Sequence, residues 1–318
     1  MSSALLRRLG LFGLGLLTFV IATIALLPSS LLSRILEAQA EAQLGFSYDV
    51  NIERTSFVLP FALRGEDVTI GPMHLDPENP QRPLRLDVIR ASVNPFTLAA
   101  AVAGGVPSAT LDARLNDGRI RVTTADPEDG AIAITAAIYD FPLTEVPQLA
   151  HALGVPMTAV ANGTVSLTYN DERRLSTGEI DLSLNGVTFG PGLVMKGKID
   201  QLPEGVPMPV FDMGTMRLEA RIDGNDFRIG EFTSEGSDIR MSATGSIDLR
   251  NPLSESNVEI PLNFEIDSGF VEEAGLGPIL ADSQMVRAQV GSGYAMTLRG
   301  RVTNLSMRPG VAGSARPR

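Results

Sequence analysis

The sequence contains no cysteine and no tryptophan, and only two of its 318 residues are histidine. Without cysteine the chain has no disulfide, no thiolate metal site and no cysteine nucleophile. His74 and His151 are too few and too far apart in sequence for a histidine-based metal cluster. Aromatic residues make up only 5% of the chain, which leaves little material for a platform that stacks nucleotide bases or sugars.

Positive charge is also scarce, with 26 Lys and Arg against 37 Asp and Glu and a formal net charge of -11. A general nucleic-acid-binding protein needs a basic face that neutralises phosphates, so this balance argues against one. The same balance does not favour docking of the whole chain on anionic lipid headgroups. We therefore expect no nucleic-acid partner.

Motifs of the common enzyme classes are missing. The chain has no Ser nucleophile in a Gly-x-Ser-x-Gly setting, no phosphate-binding Gly-Lys-Ser/Thr loop and no His-Glu-x-x-His helix. The adjacent acids Glu272 and Glu273 are able to do acid–base work. Because they precede Gly275, a solvated turn is the better interpretation. The sequence predicts that the protein is not an enzyme and has no catalytic residues and no cofactor.

Three further patterns have a structural interpretation that is favoured over a functional one. Asp126, Glu128 and Asp129 lack the spaced ligands of a calcium loop and indicate a polar loop around Pro127, so no metal site is predicted. Asn162-Gly163-Thr164 matches the glycosylation pattern but is interpreted as the start of a strand. His151 titrates near neutrality when unperturbed, and its place near the end of a short helix suits the helix dipole.

The N-terminus carries an uncharged apolar run over residues 9–27, directly after Arg7 and Arg8. As a helix this run is about 28 Å long, close to the ~30 Å hydrocarbon core of a bilayer. A cleaved signal peptide is the alternative, since Ala38-Gln39-Ala40 resembles a cleavage site. The run exceeds the usual length of a signal peptide's apolar region and ends far from that site, so an uncleaved transmembrane anchor is favoured.

The flanking charges set the predicted orientation. Arg7 and Arg8 keep residues 1–8 in the cytoplasm by the positive-inside rule, which places everything after Pro28 outside. Residues 28–45 show apolar positions at helical spacing and are predicted to form an amphipathic helix beside the membrane. No later apolar stretch is long enough for a second span. The predicted localisation is a single-pass protein of a bacterial inner membrane with a periplasmic body.

From residue 46 to residue 308 the hydrophobic period changes from 3.6 to 2. The stretch from Met216 to Ile222, for example, alternates apolar and charged residues as a half-buried strand does. Strands are predicted at 46–53, Phe57–Leu63, Asp67–Ile70, 84–91, 109–115, 119–124, 131–139, 165–169, 180–184, 216–222, 227–229, 239–249, 258–266 and 294–302. Short helices are predicted at 96–102 and 143–153, and residues 309–318 are predicted to be disordered.

The number of strands and the short turns between them predict a mainly β fold with one large curved antiparallel sheet. The few helices cannot cover such a sheet, so its apolar face is expected to close as a sandwich or incomplete barrel, or to remain an open groove. The residues that distinguish a sealed core from an open groove are Ile239, Met241, Ile247, Leu249, Ile260, Leu262 and Phe264.

The order of these segments resembles the type II secretion system protein N family. The resemblance rests on Ala109–Arg121 (ATLDARLNDGRIR), on the helix from Phe141 that leads into Gly154–Met157 and on 162–167 (NGTVSL). It is strongest at Asn225–Ile229 (NDFRI) and Gly245–Ser256 (GSIDLRNPLSES). The last segment is also similar to AsmA-like envelope proteins, whose repeated strands form long curved sheets.

This resemblance implies a Gram-negative source and a single-pass inner-membrane protein with a periplasmic β-rich body. It further implies an accessory, non-enzymatic role in type II secretion, with inner-membrane secretion subunits as partners. The alternative is an AsmA-like protein that carries or bridges lipid in an apolar groove. An anchored hydrolase is a third hypothesis, for which the sequence offers no nucleophile, metal or phosphate motif.

Overall fold

The computed structural model describes residues 33–34, 36–38, 40–41, 48–58, 62–72, 82–94, 97, 108–126, 131–153, 155–172, 174–194, 206–250, 255–281, 283–302 and 304–310. The strands are β1 (Tyr48–Val58), β2 (Ala62–Pro72), β3 (Leu84–Val93), β4 (Ala109–Leu115), β5 (Gly118–Ala125), β6 (Ile132–Pro142), β7 (Met157–Tyr169), β8 (Leu175–Phe189), β9 (Gly192–Val194), β10 (Val206–Met208), β11 (Phe211–Asp223), β12 (Asp226–Glu235), β13 (Ile239–Asp248), β14 (Asn257–Ile266), β15 (Gln289–Val290), β16 (Gly293–Arg301) and β17 (Asn304–Pro309).

Fifteen of these strands form a single antiparallel sheet. From β1 to β8 and from β11 to β14, each strand pairs with the next one along the chain, and β9 with β10 forms a separate two-stranded ribbon between the two runs. At the far side β16 pairs with β14 on one flank and with β15 and β17 on the other. No pairing between described strands joins β1 to β17, so the sheet has two outer edges. The predicted large antiparallel sheet is confirmed.

Helices collect at one end of this sheet. The helical residues 33–34, 36–38 and 40–41, here called the edge helix, precede β1. A 3-10 turn (Leu143–Glu145) and α1 (Pro147–Leu153) lie between β6 and β7, while α2 (Ser268–Glu273), α3 (Gly277–Leu280) and α4 (Ser283–Ala288) lie between β14 and β15. Because the strands alternate in direction, all these connections fall at the end where β1 begins. We call it the helix end and the opposite one the turn end.

The buried core lies mainly near the helix end. One cluster joins six residues of the first seven strands, with Leu143 and Val146 packed against it. Its members are Val50, Val68, Leu86, Leu115, Phe141 and Ala161. A second cluster of Ala159, Val187 and Met213 continues it along the sheet. The Phe211 ring lies 5.4 Å from Phe189 and 5.7 Å from Phe270 of α2, which ties the helices to the sheet.

Between the predicted strands 109–115 and 119–124, the sequence Asn116-Asp117-Gly118 predicts a hairpin turn in which Gly118 supplies positive φ. The hairpin is confirmed, but its turn differs from this prediction. The residue with positive φ is Asn116, at 53°, and Gly118 is the first residue of β5. A Cβ on Gly118 would lie 2.8 Å from the carbonyl oxygen of Asp140 and 2.6 Å from Cδ of Pro142. Glycine is therefore needed at this position because the neighbouring strand approaches closely.

The boundaries predicted for the first strands are wrong. The structure ends β1 at Val58 and begins β2 at Ala62, so no single strand covers Phe57–Leu63. Asp67, predicted to start a strand, lies inside β2 with φ of 53°, and the pairing of β2 with β3 keeps the same register on both sides of it.

The Asn162-Gly163-Thr164 segment is also placed differently from the prediction. It lies inside β7, which already begins at Met157, and not at the start of a strand. Asn162 Oδ1 accepts a hydrogen bond from the N–H of Asp140 (2.9 Å), and its Nδ2 donates to Asp140 Oδ1 (3.1 Å). These bonds hold the register shift between β6 and β7 that falls at the same place.

Several elements were not predicted, namely β9, β10, β15, β17 and α2–α4. The predicted helix at 143–153 is confirmed as the 3-10 turn and α1. Residues described within 28–45 are helical, while the helix at 96–102 is described only at Thr97, which is helical. The predicted anchor at 9–27 lies outside the described residues, among which no helix is long and apolar enough to span a membrane. The tail predicted at 309–318 overlaps β17 at Pro309, and 311–318 lie outside the described part.

Candidate functional site

One face of the sheet is lined by apolar side chains across most of its strands, and we call it the apolar face. The strand register places Leu182 opposite Leu218 and Leu218 opposite Phe232. The row continues through Ala243 and Leu262 to Met296. A parallel row runs through Leu167, Gly178, Ile222, Phe227, Ile247, Val258, Gly300 and Leu305. The apolar face therefore extends to the last strand.

The residues predicted to distinguish a sealed core from an open groove are all half-buried. This holds for Ile239, Met241, Ile247, Leu249, Ile260, Leu262 and Phe264. Their neighbours Ile222, Ala243 and Val258 are buried, at 7%, 7% and 5% exposure. Side chains of this size inside a close-packed core are normally fully buried. The side chains of the apolar face are thus partly shielded from solvent, and water still reaches part of their surface.

Contacts between elements explain this partial burial. In the described part of the chain, the strands contact mainly their neighbours within the sheet. The 3-10 turn, α1 and α2 cover the helix end, where the two buried clusters lie. The turn end of the described strands is formed by hairpins such as Gly224-Asn225 between β11 and β12. Among the described residues, the helices that pack against the two buried clusters lie at the helix end.

A cavity of about 400 Å³ opens along β12, β13, β14 and β16. Met241, Phe264 and Tyr294 contribute apolar surface to it, and the rings of Phe264 and Tyr294 stack with centroids 5.3 Å apart. Its rim carries the charged residues Arg240 and Glu265. The lining also includes the polar residues Thr233, Ser242 and Asn263. The cavity therefore combines apolar with polar and charged surface, which is the chemistry of a site for an amphipathic molecule.

The opposite, polar face carries a cluster of arginines around Asp112. The Asp112 carboxylate accepts hydrogen bonds from Arg119 Nε (2.9 and 2.8 Å) and Arg121 Nε (3.2 Å), and Arg114 Nε lies 3.6 Å away. Burial by itself raises the pKa of Asp112, but the hydrogen bonds from Arg119 and Arg121 outweigh it and lower that pKa below its usual value. A carboxylate held ionised by arginines is a structural anchor of β4 and β5, and a poor general acid or base.

A larger cavity of about 660 Å³ lies on the polar face of β7, β8, β11 and β12. Glu179, Asp181 and Glu219 line it together with Arg221 and Arg228. Arg221 is 3.6 Å from Glu179, and both side chains are mostly exposed. The described residues contain no group of three or more His, Cys, Asp or Glu placed to hold a metal ion.

Sequence inspection missed a hydrogen-bonded loop at the helix end between β12 and β13. Asp212 accepts hydrogen bonds from the N–H of Gly214 (2.7 Å) and from both N–H and Oγ of Ser237 (3.3 and 3.0 Å). The bond from Gly214 is the main cause that lowers the pKa of Asp212. Asp238 in turn accepts from the N–H of Asp212 (2.7 Å). The network fixes β11 against the β12–β13 turn, so its role is structural.

The acids and histidines that the sequence singled out are not brought together. Glu272 and Glu273 are exposed in the last turn of α2, and Asp126 is exposed after β5. Glu128 and Asp129 lie outside the described residues, as does His74. His151 belongs to α1, whose last residue is Leu153, in agreement with its predicted position near a helix end.

A scan against protein-family models, a search of curated proteins and a search of solved structures each found no match to this chain. The geometry itself defines a structural class: a mainly β chain built on one long antiparallel sheet, with one face apolar and capped at one end. The candidate site is this apolar face together with the outer edges of the sheet.

Proposed function

We propose that this chain is a non-enzymatic accessory component of a type II protein secretion system. It is anchored in the inner membrane by residues 9–27 and acts in the periplasm through protein contacts, with inner-membrane secretion subunits as its partners. The proposal is supported by the resemblance to the type II secretion system protein N family. The single observation that carries it structurally is the continuous antiparallel sheet, which is the kind of body that the resemblance implies.

The motifs on which the resemblance rests lie in strands of that sheet and in the turns between them. Ala109–Arg121 contains β4, the turn at Asn116 and the first part of β5. Asn225–Ile229 forms the turn into β12 and the start of that strand, and Gly245–Asp248 is the end of β13. Such segments shape a scaffold and its surfaces, which suits a protein that works by binding its partners.

The test is deletion of the gene in a Gram-negative host whose type II system is assayed by its secreted proteins. We expect the secreted proteins to accumulate in the periplasm, and the full chain to restore secretion. Since the chain has no cysteine, a single cysteine introduced on an exposed site carries a photo-crosslinker without background. Normal secretion in the deletion strain, with no secretion subunit crosslinked, would refute the proposal.

A second candidate function is carriage of a lipid on the apolar face. The observation that favours it is the incomplete burial of the seven predicted groove residues, since a purely structural core would be sealed. The cavity beside Phe264 and Tyr294 adds a local site with room for part of an acyl chain. In this function the sheet shields the acyl chains while the charged rim contacts the headgroup.

Native mass spectrometry of the full chain in detergent, with lipid extraction, tests this second candidate. Leu262→Asp places a carboxylate on the apolar face, whereas Asn257→Asp places one on the polar face of the same strand, outside the lining of the cavity, and is the matched control. We expect stoichiometric phospholipid with the native chain and the control, and loss with Leu262→Asp while circular dichroism is unchanged. Leu298→Asn replaces Leu262→Asp if the latter unfolds. A lipid-free native chain excludes the candidate.

A further inference from the structure

The two outer edges of the sheet differ in whether other residues bond to their outward backbone groups. At β1 the edge helix supplies hydrogen-bond acceptors to the strand's outward N–H groups. Glu37 Oε1 accepts from the N–H of Ile52 (2.8 Å), and Glu41 Oε1 accepts from the N–H of Val50 (3.3 Å). Ser33 Oγ and Thr55 Oγ1 share a buried hydrogen bond of 2.7 Å further along the same edge. This edge is covered, which prevents the addition of another strand.

At β17, no hydrogen bond from a described residue reaches the outward backbone groups of the strand. The N–H of Gly310 donates to the carbonyl of Ala295 (2.8 Å), so the alternation of an antiparallel ladder directs residues 308, 306 and 304 toward β16. The backbone groups of Leu305 and Met307 then point away from the sheet. Residues 304–308 are all exposed, even though α4 packs beside β17. Pro309 has no N–H to offer, which limits the outward donors of this edge to the N–H groups of Leu305 and Met307.

The side chains of β17 continue both faces of the sheet to this edge. Leu305 and Met307 belong to the apolar face, where they pair with Gly300 and Leu298, and they are 42% and 44% exposed. Ser306 and Arg308 belong to the polar face, opposite Arg299 and Thr297. An added strand would therefore place apolar residues beside Leu305 and Met307 and polar residues beside Arg308.

The charge near this edge is opposite to that of the rest of the chain. Residues 283–318 contain six arginines and no aspartate or glutamate, within a chain of net charge -11. Among the described ones, Arg301 and Arg308 are exposed and engage no carboxylate in an ion pair, whereas Arg299 faces Glu259 of β14 across the register. Two copies joined through β17 would bring these arginines together, so the charges disfavour a symmetric dimer.

We propose that the outward edge of β17 docks an extended segment of a partner protein that alternates apolar and acidic residues and adds a strand to the sheet. Main-chain hydrogen bonds to Leu305 and Met307 provide affinity, and Arg301 and Arg308 select acidic side chains. The covered β1 edge of a second copy does not offer such a strand. The inference concerns a surface different from the apolar groove and holds for either proposed function.

The test measures binding of a labelled seven-residue peptide that alternates Val and Glu to the full chain in detergent, by fluorescence anisotropy. A peptide that alternates Val and Lys is the matched control. We expect the acidic peptide to bind at least tenfold more tightly, with affinity that falls as salt rises, and to slow amide exchange at Leu305 and Met307. Equal binding of both peptides, or no slowed exchange, would overturn the proposal.

Two variants separate the edge from the groove. Leu305→Pro removes an outward N–H while leaving the ladder to β16 intact, and Leu305→Thr shortens the same side chain but keeps the N–H. We expect at least tenfold weaker peptide binding for Leu305→Pro and less than threefold for Leu305→Thr. Met307→Pro repeats the test if Leu305→Pro unfolds the strand. Binding that survives both proline variants would place the peptide elsewhere and overturn the proposal.

Two other occupants are distinguished in the same preparation. Sedimentation velocity that shows self-association of the native chain, lost in Leu305→Pro, would assign the edge to a second copy and contradict a separate acidic partner. Binding to phosphatidylglycerol vesicles without any binding of the acidic peptide would assign the arginines to a membrane surface, and would also contradict it.

Discussion

At the scale of single residues, the polar face depends on one carboxylate. The Asp112 side chain is 11% exposed and is surrounded by Arg114, Arg119 and Arg121. Buried charges are tolerated where they are paired and hydrogen-bonded, and breaking such a pair leaves the remaining groups uncompensated. The alternating sequence pattern places Asp112 on the polar face of its strand. That three arginines surround it is shown only by the strand register in the structure.

Asp112→Asn is expected to destabilise the protein by about 1–2 kcal/mol at pH 7, because the charge-assisted bonds from Arg119 and Arg121 are weakened. A lowered folded pKa means that the ionised carboxylate stabilises the fold above its unfolded pKa of about 3.9. This contribution is lost as pH falls through the lower folded pKa. Urea unfolding at several pH values should show the difference between the two proteins narrowing below about pH 4.

Asp117→Asn, in the exposed turn of the same hairpin, is the matched control for this experiment. It should leave the free energy of unfolding within about 0.5 kcal/mol of the native value, as surface substitutions usually do. A difference for Asp112→Asn that persists unchanged at pH 2 would show that the charge is not responsible.

Gly163 is the second residue on which the sheet depends, because its φ is 140° at a position inside β7. A Cβ there would collide with the carbonyl oxygen of Asp181 on β8. Gly163→Ala is expected to cost about 2–4 kcal/mol in urea unfolding, from strain and a forced shift of β8. Gly277→Ala has open space around the new methyl group and should be neutral or slightly stabilising. Equal effects of Gly163→Ala and Gly277→Ala on the free energy of unfolding would contradict the close approach of β8 to Gly163.

At the scale of elements, the edge helix acts as a cover for β1. Its amphipathic pattern predicted a helix over residues 28–45, and the described residues agree. The pattern did not show that Glu37 and Glu41 serve as hydrogen-bond acceptors for a strand edge. Charged groups that occupy an edge are a common device against unwanted strand addition.

Glu37→Lys is expected to expose the N–H of Ile52 and to speed its amide exchange by about tenfold, equivalent to one lost hydrogen bond of ~1.4 kcal/mol. Ala38→Lys adds the same charge at a neighbouring exposed position and should leave that exchange unchanged. Hydrogen exchange resolved by mass spectrometry or NMR measures both. Equal protection of Ile52 in the two variants would show that Glu37 does not cover the edge.

At the scale of the whole molecule, fifteen strands in nearly sequential order form a sheet whose first and last strands are not paired. At about 4.8 Å per strand, the path across the sheet measures roughly 65 Å. An open sheet of this length provides a long apolar face and two edges, which is why both proposals concern binding surfaces.

The open arrangement is testable by crosslinking in this cysteine-free chain. Cysteines at Thr233 and Ser242, which are register partners on β12 and β13, should react readily with a short bismaleimide. Cysteines at Asn51 of β1 and Ser306 of β17 should not, because these strands lie at opposite edges. An efficient crosslink between Asn51 and Ser306 would show that the sheet closes on itself.

The sequence by itself determined that this protein is mainly β. Alternation with period 2 and short polar turns are local signals, so most strands from β3 to β16 were found, and hairpins such as 109–124 were paired correctly. The missing cysteine, the scarce histidine and the absent motifs are equally local facts, and they directed attention to surfaces. Boundaries failed at Asp67, whose backbone has a positive φ inside β2, and at Asn162, which lies opposite the register shift between β6 and β7, because such irregularities depend on the partner strands.

Only the tertiary structure decided how the apolar residues are used. Leu262 and Phe264 have the same alternating pattern whether a second layer seals them or not, so their half-burial depends on what packs opposite. β17 was missed as a strand because only Leu305 and Met307 alternate with polar residues in it, and α2 was missed although Asp267 caps it through the N–H groups of Gly269 and Phe270. Edge, register and cover are relations between distant segments, and a local pattern does not encode them.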